Sequence, residues 1–102
     1  MKPFVTVSAL ALSALALSAQ AQSVTPTQVR SWAAGCANCH GTNGHAEPGM
    51  VVLAGAPKAD LVQKMQDFKA GRKPATIMHQ LAKGYSDEQI DAIAAYYAAQ
   101  KK

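Results

Sequence analysis

The sequence predicts an all-α protein of three to five helices, and three observations carry that prediction. Two stretches open with the same start signal, a hydroxyl residue followed three positions later by glutamine, at Thr25/Gln28 and at Ser86/Gln89. Apolar residues recur at spacings of three and four, first as Leu61, Met65 and Phe68, then as Ile90, Ile93, Ala94 and Tyr97. No segment alternates with the period of two that a half-buried strand requires.

The start of the chain does not read as part of that fold. Lys2 supplies a positive charge, "FVTVSALALSALAL" is an uncharged apolar run, and Ala19 and Ala21 give the small-residue pattern of a cleavage site. The run falls short of the roughly 20 residues that span a bilayer, so stable membrane insertion is not expected after cleavage. Residues 1–21 are therefore expected to be a cleaved signal peptide, and 22–102 the exported, periplasmic domain.

The remaining elements follow in order. "TPTQVRSWAAGCANCH" begins with Thr25 as N-cap, Pro26 at the first helical position and Gln28 closing a capping box. Its phase carries Val29, Trp32 and Ala33 along one side towards Cys36. "GTNGHAEPGMVVLAGAP" is rich in Gly and Pro and reads as a loop. "KADLVQKMQDFKAG" is an amphipathic helix stopped at Gly71, with Leu61, Met65 and Phe68 as its packed stripe. Pro74 breaks the chain again before "ATIMHQLAKGY". The last helix has Asp87 and Glu88 at the positive end of its dipole and a buried stripe of Ile90, Ile93, Ala94 and Tyr97. Trp32 is expected where the first and last helices cross, against Tyr96 or Tyr97.

Charge and size restrict what such a domain does. Without Lys2 there are nine basic and six acidic side chains, a net +3, and no basic run interleaved with aromatics, so nucleic-acid binding is not expected. A domain of about 81 residues has a thin core and needs a staple. The only two cysteines, Cys36 and Cys39, would close too small a disulfide loop to serve.

"GCANCHG" supplies something larger. Cys36, Cys39 and His40 fall within about 100° of helical arc, so two thiols and an imidazole face the same way. That suits a haem, which takes one thiol on each of two vinyl groups and an imidazole on the iron. Cys-x-x-Cys-His is the signature of c-type attachment. A thioredoxin-like dithiol would follow a strand in a βαβ unit, and none is visible. A zinc site would need a fourth ligand from His45 or His79, with adjacent Cys39 and His40 making an awkward chelate. Burying roughly 400 Å² of porphyrin contributes on the order of 10 kcal/mol at about 25 cal/mol per Å². The apoprotein is expected to be largely unfolded.

His40 leaves one axial position for another side chain. Met65 belongs to a helical stripe and reads as core; Met50 sits in a loop ten residues after His40; Met78 lies 38 residues after it, in a short segment bounded by Pro74 and Gly84. Spacing favours Met78 and leaves Met50 open. His45 and His79 would give a bis-histidine site instead, though each reads first as an exposed or hydrogen-bonded histidine.

The whole order, helix ending in Cys-x-x-Cys-His, loop, helix, methionine, C-terminal helix with aromatics, resembles a class I cytochrome c. More narrowly, "CANCHGTNG", "LAG" and "LVQKMQDFKAGRKPATIMHQLAKGYSDEQIDAIAAYYAAQ" are similar to the cytochrome subunit of flavocytochrome c sulfide dehydrogenase. They are also similar to the halves of two-haem periplasmic cytochromes. The resemblance implies one covalently bound haem c, with Cys36 and Cys39 as its thioethers and His40 and Met78 as axial ligands. It also implies redox partner proteins, among them a flavoprotein sulfide dehydrogenase subunit. Such relatives carry proline two residues before "LAG", whose carbonyl accepts the proximal histidine's N–H. Here Val51 stands in that place, and its carbonyl is expected to do the same.

Two axial side chains imply outer-sphere electron transfer, by a free carrier or by the haem subunit of a larger enzyme. A displaceable sixth ligand would instead suit a peroxidase or a gas binder. No flavin-binding glycine motif is present, so flavin chemistry would belong to another chain. Arg72 and Lys73 are open to two readings, partners of haem propionates or a solvated basic turn. Lys58, Lys64, Lys69, Lys83, Lys101 and Lys102 are open to two as well, a ring steering an acidic partner or an ordinary soluble surface.

Overall fold

The computed structural model describes residues 23–102, so the expected signal segment lies outside the described residues. Four α-helices and one 3-10 turn make up those residues, with no strand among them: α1 (Pro26–His40), the turn Thr42–Gly44, α2 (Lys58–Lys69), α3 (Met78–Lys83) and α4 (Asp87–Ala98). The all-α expectation stands, and the helix count falls inside the expected range.

Both capping boxes form. The Gln28 N–H donates to Thr25 Oγ1 at 3.2 Å, and Gln28 Oε1 accepts the Thr25 N–H at 2.9 Å. Ser86 and Gln89 repeat the exchange at 3.1 and 2.9 Å. Two of the otherwise orphaned donors at each helix start are thereby satisfied by local sequence alone.

The core is small and lies where α4 crosses α1 and α2, with α3 packed on α2. Ala33, Leu61, Ile93, Ala94 and Tyr97 form its centre, and Trp32, Leu53, Val62, Tyr85 and Tyr96 pack against that cluster. Small side chains at Ala33 and Ala94 allow a close helix crossing. The Tyr97 hydroxyl donates to the Ala33 carbonyl at 2.5 Å and so bonds α4 to α1 inside the core. Burial raises the Tyr97 phenol above its usual range, so it stays a donor.

One expectation changes and one element is added. Leu61 is buried, but Met65 and Phe68 are only half-buried, because α3 and α4 cover one side of the α2 stripe and leave the rest open. The short segment after Pro74, given no element by its pattern, forms the helix α3 from Met78, while Ala75, Thr76 and Ile77 stay irregular.

The loop after α1 is ordered by backbone bonds. The Gly44 carbonyl accepts from the Leu53 N–H at 3.0 Å and the Ala54 N–H at 3.2 Å, and the Gly55 N–H reaches the Tyr97 carbonyl at 2.9 Å. Gly44 is buried with φ +80°, and a Cβ there would lie 2.7 Å from Ala54 N and 2.8 Å from Tyr97 Cδ1. Only glycine fits.

Candidate functional site

α1 ends on the motif itself. Cys36, Cys39 and His40 occupy its last turn, and Gly41, with φ +81°, stops the helix immediately afterwards. The three side chains therefore share one helix end, as their spacing predicts. Both cysteines are free thiols, Cys36 half-buried and Cys39 exposed. Burial pushes the Cys36 thiol up, and a hydrogen bond with Tyr97 pulls it part of the way back.

His40 is oriented from the neighbouring loop. Its Nδ1 lies 2.7 Å from the Val51 carbonyl oxygen. A carbonyl can only accept, so the proton sits on Nδ1 and the Nε2 lone pair is left for a metal. The carbonyl contact expected at Val51 is present, although the residue is not proline.

Two segments that carry candidate ligands expose apolar side chains. Met50, Val51 and Val52, in the loop that holds His40, are between 44% and 59% exposed. Ile77 and Leu81, on either side of Met78 in the chain, are 54% and 42% exposed. Met78 is the first residue of α3 and half-buried. Scattered exposed apolar residues are ordinary, but these five fall in the two segments from which the sequence draws its candidate ligands. Two thiols, an imidazole with a fixed tautomer and these apolar side chains fit a covalently attached haem.

The rival readings lose their structural basis. Among the described residues no three His, Cys, Asp or Glu side chains converge as a metal cluster would require. A reactive dithiol gains its thiolate from a helix N-terminus; these cysteines sit at a C-terminal end, where the dipole opposes the charge. Both alternative histidines are engaged. His45 contacts the Thr42 carbonyl through Nδ1 at 3.2 Å and the Lys101 carbonyl through Nε2 at 2.6 Å. His79 Nε2 donates to the Lys73 carbonyl.

Several charged groups are also accounted for. Arg72 directs Nε and Nη2 to one Asp67 oxygen at 3.1 and 2.9 Å, holding that carboxyl below its usual range, so this guanidinium is committed locally. Lys58 pairs with Asp91 at 3.1 Å, and Lys69 bonds the Tyr85 carbonyl at 2.7 Å and Asp87 at 3.2 Å. These two lysines tie α2 to α4. Lys73 Nζ stands 5.9 Å from the centre of the Phe68 ring.

Some contacts had little sequence signal. The Tyr97–Ala33 bond joins residues 64 apart, and the Tyr96 hydroxyl donates to Asn43 Oδ1 at 3.0 Å across 53. Asn43 has φ +54°, a conformation asparagine tolerates better than most residues, and that tolerance is the one available hint.

Comparison with known proteins agrees with the geometry. The family model described as cytochrome c oxidase, cbb3-type, subunit III matches residues 26–96. The cytochrome subunit of sulfide dehydrogenase from Chlorobaculum tepidum is 34% identical over 74 residues, covering 72% of this chain and 67% of that protein. A cytochrome c4 from Pseudomonas aeruginosa is 39% identical over 68% of this chain, and a thiosulfate dehydrogenase electron acceptor from Stutzerimonas stutzeri is 36% identical over 91%. The matches span only 35% and 44% of those two longer proteins.

Proposed function

Because this chain belongs to the class I c-type cytochromes, with covalently bound haem c as cofactor, we propose that it is a periplasmic carrier of single electrons whose iron is held by His40 and Met78. When bound, the haem supplies a one-electron ferric/ferrous couple. Cys36 and Cys39 anchor it as thioethers, and the Val51 carbonyl keeps the His40 ring turned with Nε2 available. Met78 supplies a thioether from the start of α3, which favours the ferrous form and raises the potential relative to a second histidine. With His40 and Met78 both holding the iron, the group would leave no open position for oxygen or peroxide.

The observation that carries this reading is the His40–Val51 bond, which commits one ring nitrogen to the chain and frees the other. Relatives named for sulfide and thiosulfate dehydrogenases support a partner that oxidises a reduced sulfur compound, with this chain as its electron acceptor or haem subunit. Residues 1–21 act as the export signal, and N-terminal sequencing of the periplasmic protein is expected to start at Gln22.

The test is the visible spectrum of oxidised and reduced protein, repeated on Met78→Ala. Low-spin c-type bands with the weak far-red feature of sulfur ligation are expected, and that feature should vanish in the variant. A variant spectrum identical to the parent would move the ligand to Met50 or a histidine. Rapid carbon monoxide binding to the unsubstituted reduced protein would favour a gas-binding or peroxidase role.

A further inference from the structure

The chain between α2 and α3 runs with little support from its own backbone. The Gly71 N–H bonds to the Phe68 carbonyl at 3.1 Å and the Arg72 N–H to the Asp67 carbonyl at 2.8 Å; the next backbone bond is from Gln80 to Ile77 at 3.0 Å. Among the described residues, Lys73, Pro74, Ala75 and Thr76 make no backbone–backbone bond at all. One side chain reaches this stretch by hydrogen bonding. His79, the second residue of α3, donates from Nε2 to the Lys73 carbonyl. Its ring also meets Phe68 of α2 edge-on, with centroids 6.2 Å apart and planes at 60°. Lys73 leans over the same Phe68 ring.

We propose that His79 is a positioning residue for Met78. By bonding back to Lys73 and bracing on Phe68, it closes the 73–77 stretch into a ring and fixes where α3 begins. Met78 is the residue at that beginning. Successive side chains on a helix diverge by about 100°, so a His79 ring turned towards Lys73 and Phe68 leaves Met78 on a different face. The inference rests on Met78 being the sixth ligand, and it adds what keeps that ligand in place. A thioether is a weak ligand, so its retention depends on how seldom the segment carrying it opens.

The experiment uses the haem-loaded protein with Met78→Ala, His79→Phe and His79→Gln at one fixed pH. Phenylalanine keeps a ring against Phe68 without a donor, whereas glutamine keeps an N–H of similar reach. Three quantities are read: the far-red band, the rate of carbon monoxide binding to reduced protein, and amide exchange at residues 73–77. His79→Phe is expected to weaken the band and to speed both carbon monoxide binding and exchange by about tenfold, the effect of losing one ordinary hydrogen bond. His79→Gln should return most of the way to the parent. If His79→Phe matches the parent while Met78→Ala loses the band, the role of His79 is overturned and Met78 stays the ligand. If Met78→Ala keeps the band, both readings fall. Should His79→Phe not accumulate folded, nitrogen NMR on the unsubstituted protein decides. A His79 Nε2 proton bonded to the Lys73 carbonyl supports the inference, and an unprotonated Nε2 overturns it.

Discussion

Residues 41–55 and residues 70–77 are both irregular and both rich in glycine and proline, and each leads to or from an expected iron ligand. They are built differently. The first is laced by backbone bonds, Gly44 to Gly41 at 2.9 Å, Leu53 and Ala54 to Gly44, Gly55 to Tyr97, and it offers His40 a main-chain carbonyl. The second has backbone bonds only at its start, from Ala70, Gly71 and Arg72, and beyond them is held by a side chain, His79 on Lys73, with Arg72 also on Asp67. Side-chain substitution leaves a backbone acceptor in place, so the histidine end is robust to sequence change. The methionine end depends on which side chains are present, and there the chain can be tuned.

The comparison breaks most visibly at glycine. Gly44→Ala puts a Cβ within 2.8 Å of both Ala54 N and Tyr97 Cδ1 at φ +80°, and is expected to cost about 3 kcal/mol or more in denaturant unfolding of the holoprotein. Gly71→Ala has a similar φ, +76°, but no neighbour within 4 Å, so it should cost only about 1 kcal/mol of backbone strain. Equal losses at the two sites would mean that the 41–55 loop yields where it is packed tightest. Next in size, Tyr97→Phe removes the bond to the Ala33 carbonyl and should lower stability by about 1 to 2 kcal/mol, with the far-red band unmoved.

Val51→Pro sharpens the contrast, since it keeps the carbonyl that holds His40 and stiffens the loop. The Val51 N–H makes no backbone bond among those of the described loop residues, so a gain of up to about 1 kcal/mol is expected, with unchanged haem ligation. A loss of stability would show that the loop needs a conformation proline cannot adopt.

The smallest expected effect is on pH. Gln66 and Lys69 hold the Asp87 carboxyl below its usual range, and Arg72 and Gln63 do the same for Asp67. Each contribution is present above the ordinary carboxylate range, around pH 4, and is lost as pH falls through the lower folded value. Melting curves taken down through that range should show a shallow decline. Asp87→Asn should flatten it, and an unchanged slope in the variant would assign the decline elsewhere.

Local chemistry was legible in the sequence and distant chemistry was not. Thr25/Gln28 and Ser86/Gln89 read correctly because each box is complete within four residues. The Val51 carbonyl was reachable because the resemblance marked its place relative to "LAG". Met65 and Phe68 are less buried than their spacing predicts, since a helical period tells which face is apolar and not how much of it a neighbour covers. The His79–Lys73 bond had no precursor in the pattern, because an irregular loop has no period from which to predict a partner. Helix α3, six residues long, likewise had too short a pattern to be predicted.

The bond between Tyr97 and Ala33 also bears on the order in which the molecule is made. It joins positions 64 apart, so α1 makes this bond only once the last helix is in place. Closing so long a loop is slow relative to local helix formation. The crossing of α1 and α4 is therefore expected to be among the last contacts to form, after the helices that it joins.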